Sequence, residues 1–265
     1  MNLFRHELYM MRNGLVIWIL GLLAFSTLFL SFFPSFYDEA EDFRNVLQSY
    51  PEEMLRALDV DMSMITSYEG YYAYIFMFIL LGFSIQAMNI GIGLLNKEIN
   101  GGTAEFLLSK PIGRKMILSS KVLAALICLL GTNMVYTAVV YLISPLLAVQ
   151  KPDTEVLLLF SGAALWLQVF FLTLGLLFSI FAQGIKSPVI VSVSVVFSFY
   201  VLNMLTSLTE VKGMRYVTPF QYFDMGYIVK HTTYEWKYIG LLAILICCAV
   251  CLVYRTFSKK DIKVA

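Results

Sequence analysis

Cysteine is the residue type in this sequence with the clearest capacity for chemistry. Cys248 and Cys251 have the C-x-x-C spacing at which two thiols form a redox pair or ligate a metal, and Cys128 and Cys247 are the other two cysteines. All four lie inside long apolar runs, where a thiol behaves as a small hydrophobic side chain. The pattern therefore favours packing within a membrane helix over redox or metal chemistry.

Other signatures of catalysis and nucleotide binding are missing from the sequence. The segment at Gly184, Lys186 and Ser187 lacks the adjacent Gly-Lys pair of a phosphate-binding loop. The two histidines, His6 and His231, are predicted on opposite sides of a membrane and cannot share a metal ion. We therefore expect no catalytic residue, cofactor site or metal site in the chain. A net charge of +1 also argues against a nucleic-acid partner.

The composition indicates a membrane protein. The 265 residues are 59% hydrophobic, only 14% are charged and the mean hydropathy is +0.77, whereas roughly 25% of a soluble domain is charged. Backbone amides in the hydrocarbon core must pair within their own segment, so long apolar runs must be helices. The sequence predicts an all-α polytopic membrane protein, a single transmembrane domain over residues 1–265. Its six predicted spans are residues 14–33, 71–96, 117–149, 156–183, 187–209 and 236–254.

Within the spans, the stretches 14–33, 71–96, 122–149, 156–183, 187–209 and 238–254 contain no Asp, Glu, Lys or Arg, so their polar residues are neutral. They include Gln86, Asn89, Asn133, Gln168 and Asn203. Ion-coupled transporters usually place ionisable side chains near the membrane midplane, whereas neutral polar groups more often join neighbouring helices by hydrogen bonds. The pattern therefore disfavours a secondary transporter and a membrane-embedded protease.

The distribution of lysine and arginine predicts the orientation. With both termini in the cytoplasm, twelve of the nineteen basic residues lie in inside segments and seven in outside segments. Short cytoplasmic loops are enriched in basic residues. We therefore predict a multi-pass protein of the plasma membrane with both termini cytoplasmic.

Three segments outside the spans have distinctive patterns. Residues 1–13 have an apolar stripe at helical spacing, which predicts an interfacial helix that lies in the headgroup plane. Residues 34–70 hold nine of the eighteen acids and form an acidic extracellular loop, in which two short amphipathic helices broken at Pro51 are expected. Residues 97–116, called the coupling loop below, form a basic and turn-rich cytoplasmic connection.

The coupling loop carries a family resemblance. Residues 98–114, followed by Lys121, are similar to the pattern E-x-x-x-G-T-x-E-x-L-L-x-x-P-x-x-R of ABC-2 type transporter permeases. Three other segments agree: residues 50–58 with Gly70, residues 218–224, and Phe257 with residues 260–262. Thr218 and Lys260 depart mildly from the family's Ser and Arg. The resemblance covers nearly the whole chain.

The resemblance implies a permease subunit of an ATP-driven ABC exporter. Its coupling loop would form a short helix that contacts a separate cytoplasmic ABC ATPase, which would hold ATP and Mg. The residues implied in this contact are Glu98, Gly102, Thr103, Glu105, Phe106, Leu107, Leu108, Pro111 and Arg114. Two permease copies, either identical or related, would move an amphipathic or hydrophobic substrate such as a peptide, a bacteriocin-like toxin or a drug. Membrane lipid would surround the spans.

Two other classes of function remain open at this point. A non-transporting scaffold or sensor would show no ATPase stimulation by any ligand, and a secondary transporter would not need an ATPase. The coupling loop could also be an ordinary membrane loop whose charges only set the topology. The acidic loop could favour departure of a cationic peptide or only keep that loop soluble.

Overall fold

The computed structural model confirms an all-α membrane protein with six candidate spans. It describes residues 2–35, 37, 39, 67–100, 113–148, 152–182, 184–209 and 213–259, with the backbone alone at residues 2–3, 98–100, 207–209, 214 and 259. The two short helices expected around Pro51 lie outside these residues.

Six long helices and one short helix make up the described part of the chain. They are α1 (Asn2–Leu30), α2 (Tyr68–Asn100), α3 (Arg114–Leu147), α4 (Thr154–Phe181), α5 (Pro188–Thr209), α6 (Met225–His231) and α7 (Trp236–Lys259). Two 3-10 turns, Met214–Tyr216 and Pro219–Tyr222, lie between α5 and α6. Apart from the N-terminal segment, the helix bounds lie within about five residues of the predicted spans.

Helices α2 and α4 form the centre of the bundle. Their apolar windows are 61% and 56% buried, against 17% in α1 and 28% in α5 and α7. Gly91 on α2 and Gly175 on α4 let the two backbones approach closely, because a Cβ at Gly91 would lie 2.4 Å from the carbonyl oxygen of Leu172. Small residues at helix crossings are typical of membrane bundles. The outer helices leave apolar side chains on their surfaces, which suits a lipid environment.

Helix α1 differs from the prediction. One continuous helix, Asn2–Leu30, replaces the predicted interfacial helix over 1–13 and span over 14–33. Gly14 lies at the junction, and a glycine costs a helix only about 1 kcal/mol, which is too little to end it. Glu7, which lies off the apolar stripe of the predicted surface helix, is 1% exposed. The N-terminal segment therefore packs against the bundle with its acidic residue inward.

Hydrogen bonds between neutral polar groups join the helices, as predicted for the polar residues within the spans. Gln86 on α2 bonds Thr132 on α3 at 3.2 Å, and Asn133 donates to the carbonyl oxygen of Ser161 on α4 at 3.0 Å. The hydroxyls of Ser26 and Tyr136 lie 2.7 Å apart and join α1 to α3. The phenol of Tyr136 lies 3.2 Å from that of Tyr72 and continues the chain to α2.

Candidate functional site

The coupling loop is the predicted functional site, and the structure describes its two ends. Helix α2 continues through Asn100 and includes the backbone of Glu98. Helix α3 begins at Arg114, after an extended Gly113 at its N-cap. Gly102, Thr103, Glu105, Phe106, Leu107, Leu108 and Pro111 lie outside the described residues, so their contact with an ATPase stays a prediction. Helical structure enters the predicted loop from both sides.

A buried ionic cluster lies where the coupling loop meets the bundle. The carboxylate of Glu7 on α1 accepts a hydrogen bond from Lys121 Nζ on α3 through Oε1 at 2.7 Å, and one from Lys97 Nζ on α2 through Oε2 at 2.5 Å. Lys121 Nζ also donates to the carbonyl oxygen of Leu94 at 3.1 Å. One carboxylate therefore joins α1 to both helices that the coupling loop connects.

Burial makes this cluster energetically demanding. The side chains of Glu7 and Lys121 are 2% and 0% exposed, and that of Lys97 is 36% exposed. Removing one partner of a buried ion pair destabilises a protein by about 3–5 kcal/mol, because the remaining charge stays desolvated and uncompensated. The three helix ends are therefore held together by ion pairs whose disruption would destabilise the bundle.

The cluster places ionisable residues next to the charge-free stretches 14–33 and 122–149 that the sequence predicts. Glu7 and Lys121 both lie within helices long and apolar enough to cross a membrane. The sequence analysis placed Glu7 in the surface helix over 1–13 and Lys121 near the start of the third span, 117–149. The sequence did carry a signal for this cluster, because Lys121 lies between Leu118 and a long apolar run. An ionisable residue within a span is a functional candidate by default.

A second contact at the same end of the bundle joins the connection between α4 and α5 to α2. Asn96 accepts a hydrogen bond from the backbone N–H of Ile185 at 3.0 Å, and its amide nitrogen donates to the carbonyl oxygen of Ile185 at 2.5 Å. Ile185 lies in the connection between α4 and α5, after Gly184 at a φ of +75°. Through Asn96, the end of α2 contacts the connection before α5. Through Lys97 and Glu7, it is linked to α1 and α3.

The opposite end of the bundle contains a cavity of about 680 Å³. Helices α2 and α5, the second 3-10 turn and the start of α6 surround it. Aromatic and methionine side chains predominate in its lining, with Asn203, Gln221, Arg215 and Asp224 as polar members. The aromatic and methionine residues are Tyr74, Met77, Tyr200, Phe220, Phe223 and Met225.

Charged groups at the cavity are engaged within the protein. Arg215 pairs with Glu235, donates to the carbonyl oxygen of Gln221 and lies 4.2 Å from the ring centroid of Tyr238. Asp224 accepts a hydrogen bond from the N–H of Tyr227 and caps α6. An ion pair and a cation–π contact on the same guanidinium fix its position. The site thus combines an apolar, aromatic wall with one fixed cation.

A half-buried tyrosine, Tyr234, joins this outer segment to α4. The Tyr234 hydroxyl donates to the carbonyl oxygen of Leu159 at 2.6 Å, and a Cβ at Gly162 would lie 2.3 Å from that hydroxyl. Burial raises the pKa of Tyr234 to about 12, so the phenol keeps the proton that it donates. Sequence reasoning did not single out Tyr234 or Gly162, because nothing local marks this pair.

The comparison with known families decides what kind of molecule carries these features. A model described as ABC-2 family transporter protein matches residues 1–262. The chain belongs to the ABC-2 transporter family. A search of curated proteins found no match. The ABC-2 chain is therefore a transmembrane permease of an ABC transporter, and the family associates with an ABC ATPase and generally carries no catalysis in this subunit.

Proposed function

We propose that this ABC-2 chain is the permease subunit of an ATP-driven exporter of amphipathic or hydrophobic molecules. The observation that carries the proposal is the position of the coupling loop. The loop connects α3 to α2, and α2 is the most buried of the six spans. A force applied by an ATPase at this loop would therefore act directly on the centre of the bundle.

The cavity supports the proposed substrate class. An apolar and aromatic lining binds hydrophobic groups, and a few placed polar groups orient them. Part of the lining belongs to α2, which is joined to the coupling loop, and to α5, which follows the connection bonded by Asn96. The rest belongs to the segment between α5 and α6 and to the start of α6. Movement at the coupling end would therefore change the shape of a cavity at the other end.

The proposed assembly contains two permeases and two ATPase subunits. ATP and Mg would be bound by the ATPases, and their closure would switch the permease between inward and outward access. Glu98 and Arg114 would flank the contact, while Phe106, Leu107 and Leu108 would present apolar side chains to the ATPase. Gly102, Thr103 and Glu105 would shape and cap the short helix, and Pro111 would follow it.

The test is transport by the reconstituted complex. The chain is expressed with a candidate ABC ATPase and placed in proteoliposomes, and uptake of a fluorescent amphipathic peptide and a lipophilic dye is followed with ATP. We expect ATP-dependent transport that a proton gradient alone does not support. Transport driven by the gradient without ATP would indicate a secondary transporter, and no ligand-stimulated ATPase activity would indicate a scaffold or sensor.

The contact itself is tested by Leu108→Asp. An aspartate in an apolar interface is desolvated without a partner, which costs a few kcal/mol and lowers the affinity at least about tenfold. We expect normal membrane insertion with weakened ATPase association and no transport. Val217→Asp is the matched control, because Val217 is 62% exposed between the two 3-10 turns, outside the spans. Normal transport by Leu108→Asp would show that this loop is not the contact.

A further inference from the structure

We propose that Glu7 is a positioning residue that transmits movement of the coupling loop to α1. The inference rests on the proposed function, in which an ATPase acts on the loop between α2 and α3. It adds Glu7 as the residue, and α1 as the helix, to which movement of α2 and α3 is passed on. The carboxylate bonds Lys97, which lies at the last turn of α2, and Lys121, which lies in the second turn of α3.

The geometry makes the three helix ends move together. Each oxygen of the Glu7 carboxylate has its own lysine, and the Glu7 and Lys121 side chains are almost fully removed from solvent. Separation of α1 from α3 would break the buried Glu7–Lys121 pair, and separation from α2 would break the bond between Glu7 and the partly exposed Lys97. Because this arrangement resists gradual stretching, displacement of the coupling loop pulls α1 with it rather than sliding past it.

Hydrogen bonds near the other end of α1 also link it to α3 and α2. The Ser26 hydroxyl is hydrogen-bonded to that of Tyr136 on α3, and the Tyr136 hydroxyl is hydrogen-bonded to that of Tyr72 on α2. Helix α1 is therefore linked to the α2–α3 pair near both of its ends, and its middle packs along α3. The opposite face of α1, with Val16, Ile17 and Leu20, is more than half exposed. That face is the surface that α1 would carry against lipid or a second permease.

The first test requires no ATPase. Hydrogen–deuterium exchange with mass spectrometry is measured on the full chain in nanodiscs, for the wild type and Glu7→Gln. We expect exchange to rise roughly tenfold at all three helix ends, in residues 2–10, 94–100 and 114–122, and to stay unchanged in residues 154–160. Glu155→Gln is the matched control, because Glu155 is exposed in the first turn of α4.

The second test separates transmission from folding. The variants are reconstituted with the ATPase, and transport per ATP hydrolysed is measured. We expect Glu7→Gln to keep ATPase association and to lose transport per ATP by roughly tenfold. The conservative variant Glu7→Asp keeps the carboxylate and should retain most of it. If Glu7→Gln does not fold, Lys97→Gln replaces it, because the Glu7–Lys121 pair remains and a several-fold loss is expected.

Each outcome decides the proposal. Exchange that rises only in residues 2–10, or unchanged transport per ATP in a folded Glu7→Gln or Lys97→Gln variant, would overturn it. Failure of the wild-type chain to bind or be driven by an ATPase would instead contradict the proposed function. In that case the exchange measurement still reports whether Glu7 links the three helices.

Discussion

Gly91 and Gly175 face each other across the α2–α4 crossing with no space for a side chain on either. A Cβ at Gly91 would lie 2.4 Å from the Leu172 carbonyl oxygen, and one at Gly175 would lie 2.5 Å from that of Met88. The obstructing atoms are backbone, so they cannot yield by a rotamer change. The two most buried helices are therefore in direct backbone contact.

Gly91→Ala should destabilise the permease. The added methyl group forces the α2 and α4 backbones apart, and overpacking of this kind costs about 1–3 kcal/mol. Thermal unfolding in detergent is expected to shift several degrees lower. Gly93→Ala is the matched control, since a Cβ there meets nothing within 4 Å and alanine favours a helix. Equal melting temperatures for the two variants would contradict a close crossing.

Asn96→Ala should release the connection between α4 and α5. The variant leaves the N–H and C=O of Ile185 without their Asn96 partners, at a cost of about 1–3 kcal/mol for each group that remains buried. We expect faster tryptic cleavage after Lys186, which is exposed in the same connection. Asn133→Ala loses a bond to Ser161 elsewhere and should leave that cleavage rate unchanged. Equal cleavage in both variants would argue against a role of Asn96 in holding the connection between α4 and α5.

Glu235→Gln should change selectivity more than stability. The Arg215 and Glu235 side chains are 26% and 18% exposed, and the glutamine oxygen can still accept a hydrogen bond from the guanidinium, so the expected loss of stability is about 1 kcal/mol. The variant leaves the Arg215 charge at the cavity without its carboxylate partner. Transport of a cationic peptide should fall several-fold while transport of a neutral dye stays within twofold. A parallel fall for both substrates would mean that the pair acts through folding alone.

Cysteine labelling should place both termini in the cytoplasm. After replacement of the four native cysteines, single cysteines are introduced by Asn45→Cys and Ile262→Cys. Position 45 should react with a membrane-impermeant maleimide from outside intact cells, and position 262 only after permeabilisation. The reverse pattern would invert the orientation and place the coupling loop outside, where no cytoplasmic ATPase could reach it.

The sequence was sufficient for features that depend on local composition. The predicted spans from residue 71 onward agree with α2, α3, α4, α5 and α7 within about five residues, because the bilayer fixes both the length and the apolarity of a helix. The coupling motif is also local, and the family match supports the resemblance on which it was recognised. Its contact with an ATPase remains a prediction, since most of the motif lies outside the described residues.

Only the tertiary structure decided which polar residues meet. Glu7 bonds lysines 90 and 114 residues away, and the partners of Gly91 and Tyr234 lie similarly far along the chain. The apolar stripe at helical spacing assigned residues 1–13 to the membrane surface, because a periodic pattern cannot register a distant lysine. Whether Glu7 faces water or a buried Lys121 depends on how helix faces pack, and that pairing is a property of the assembled bundle.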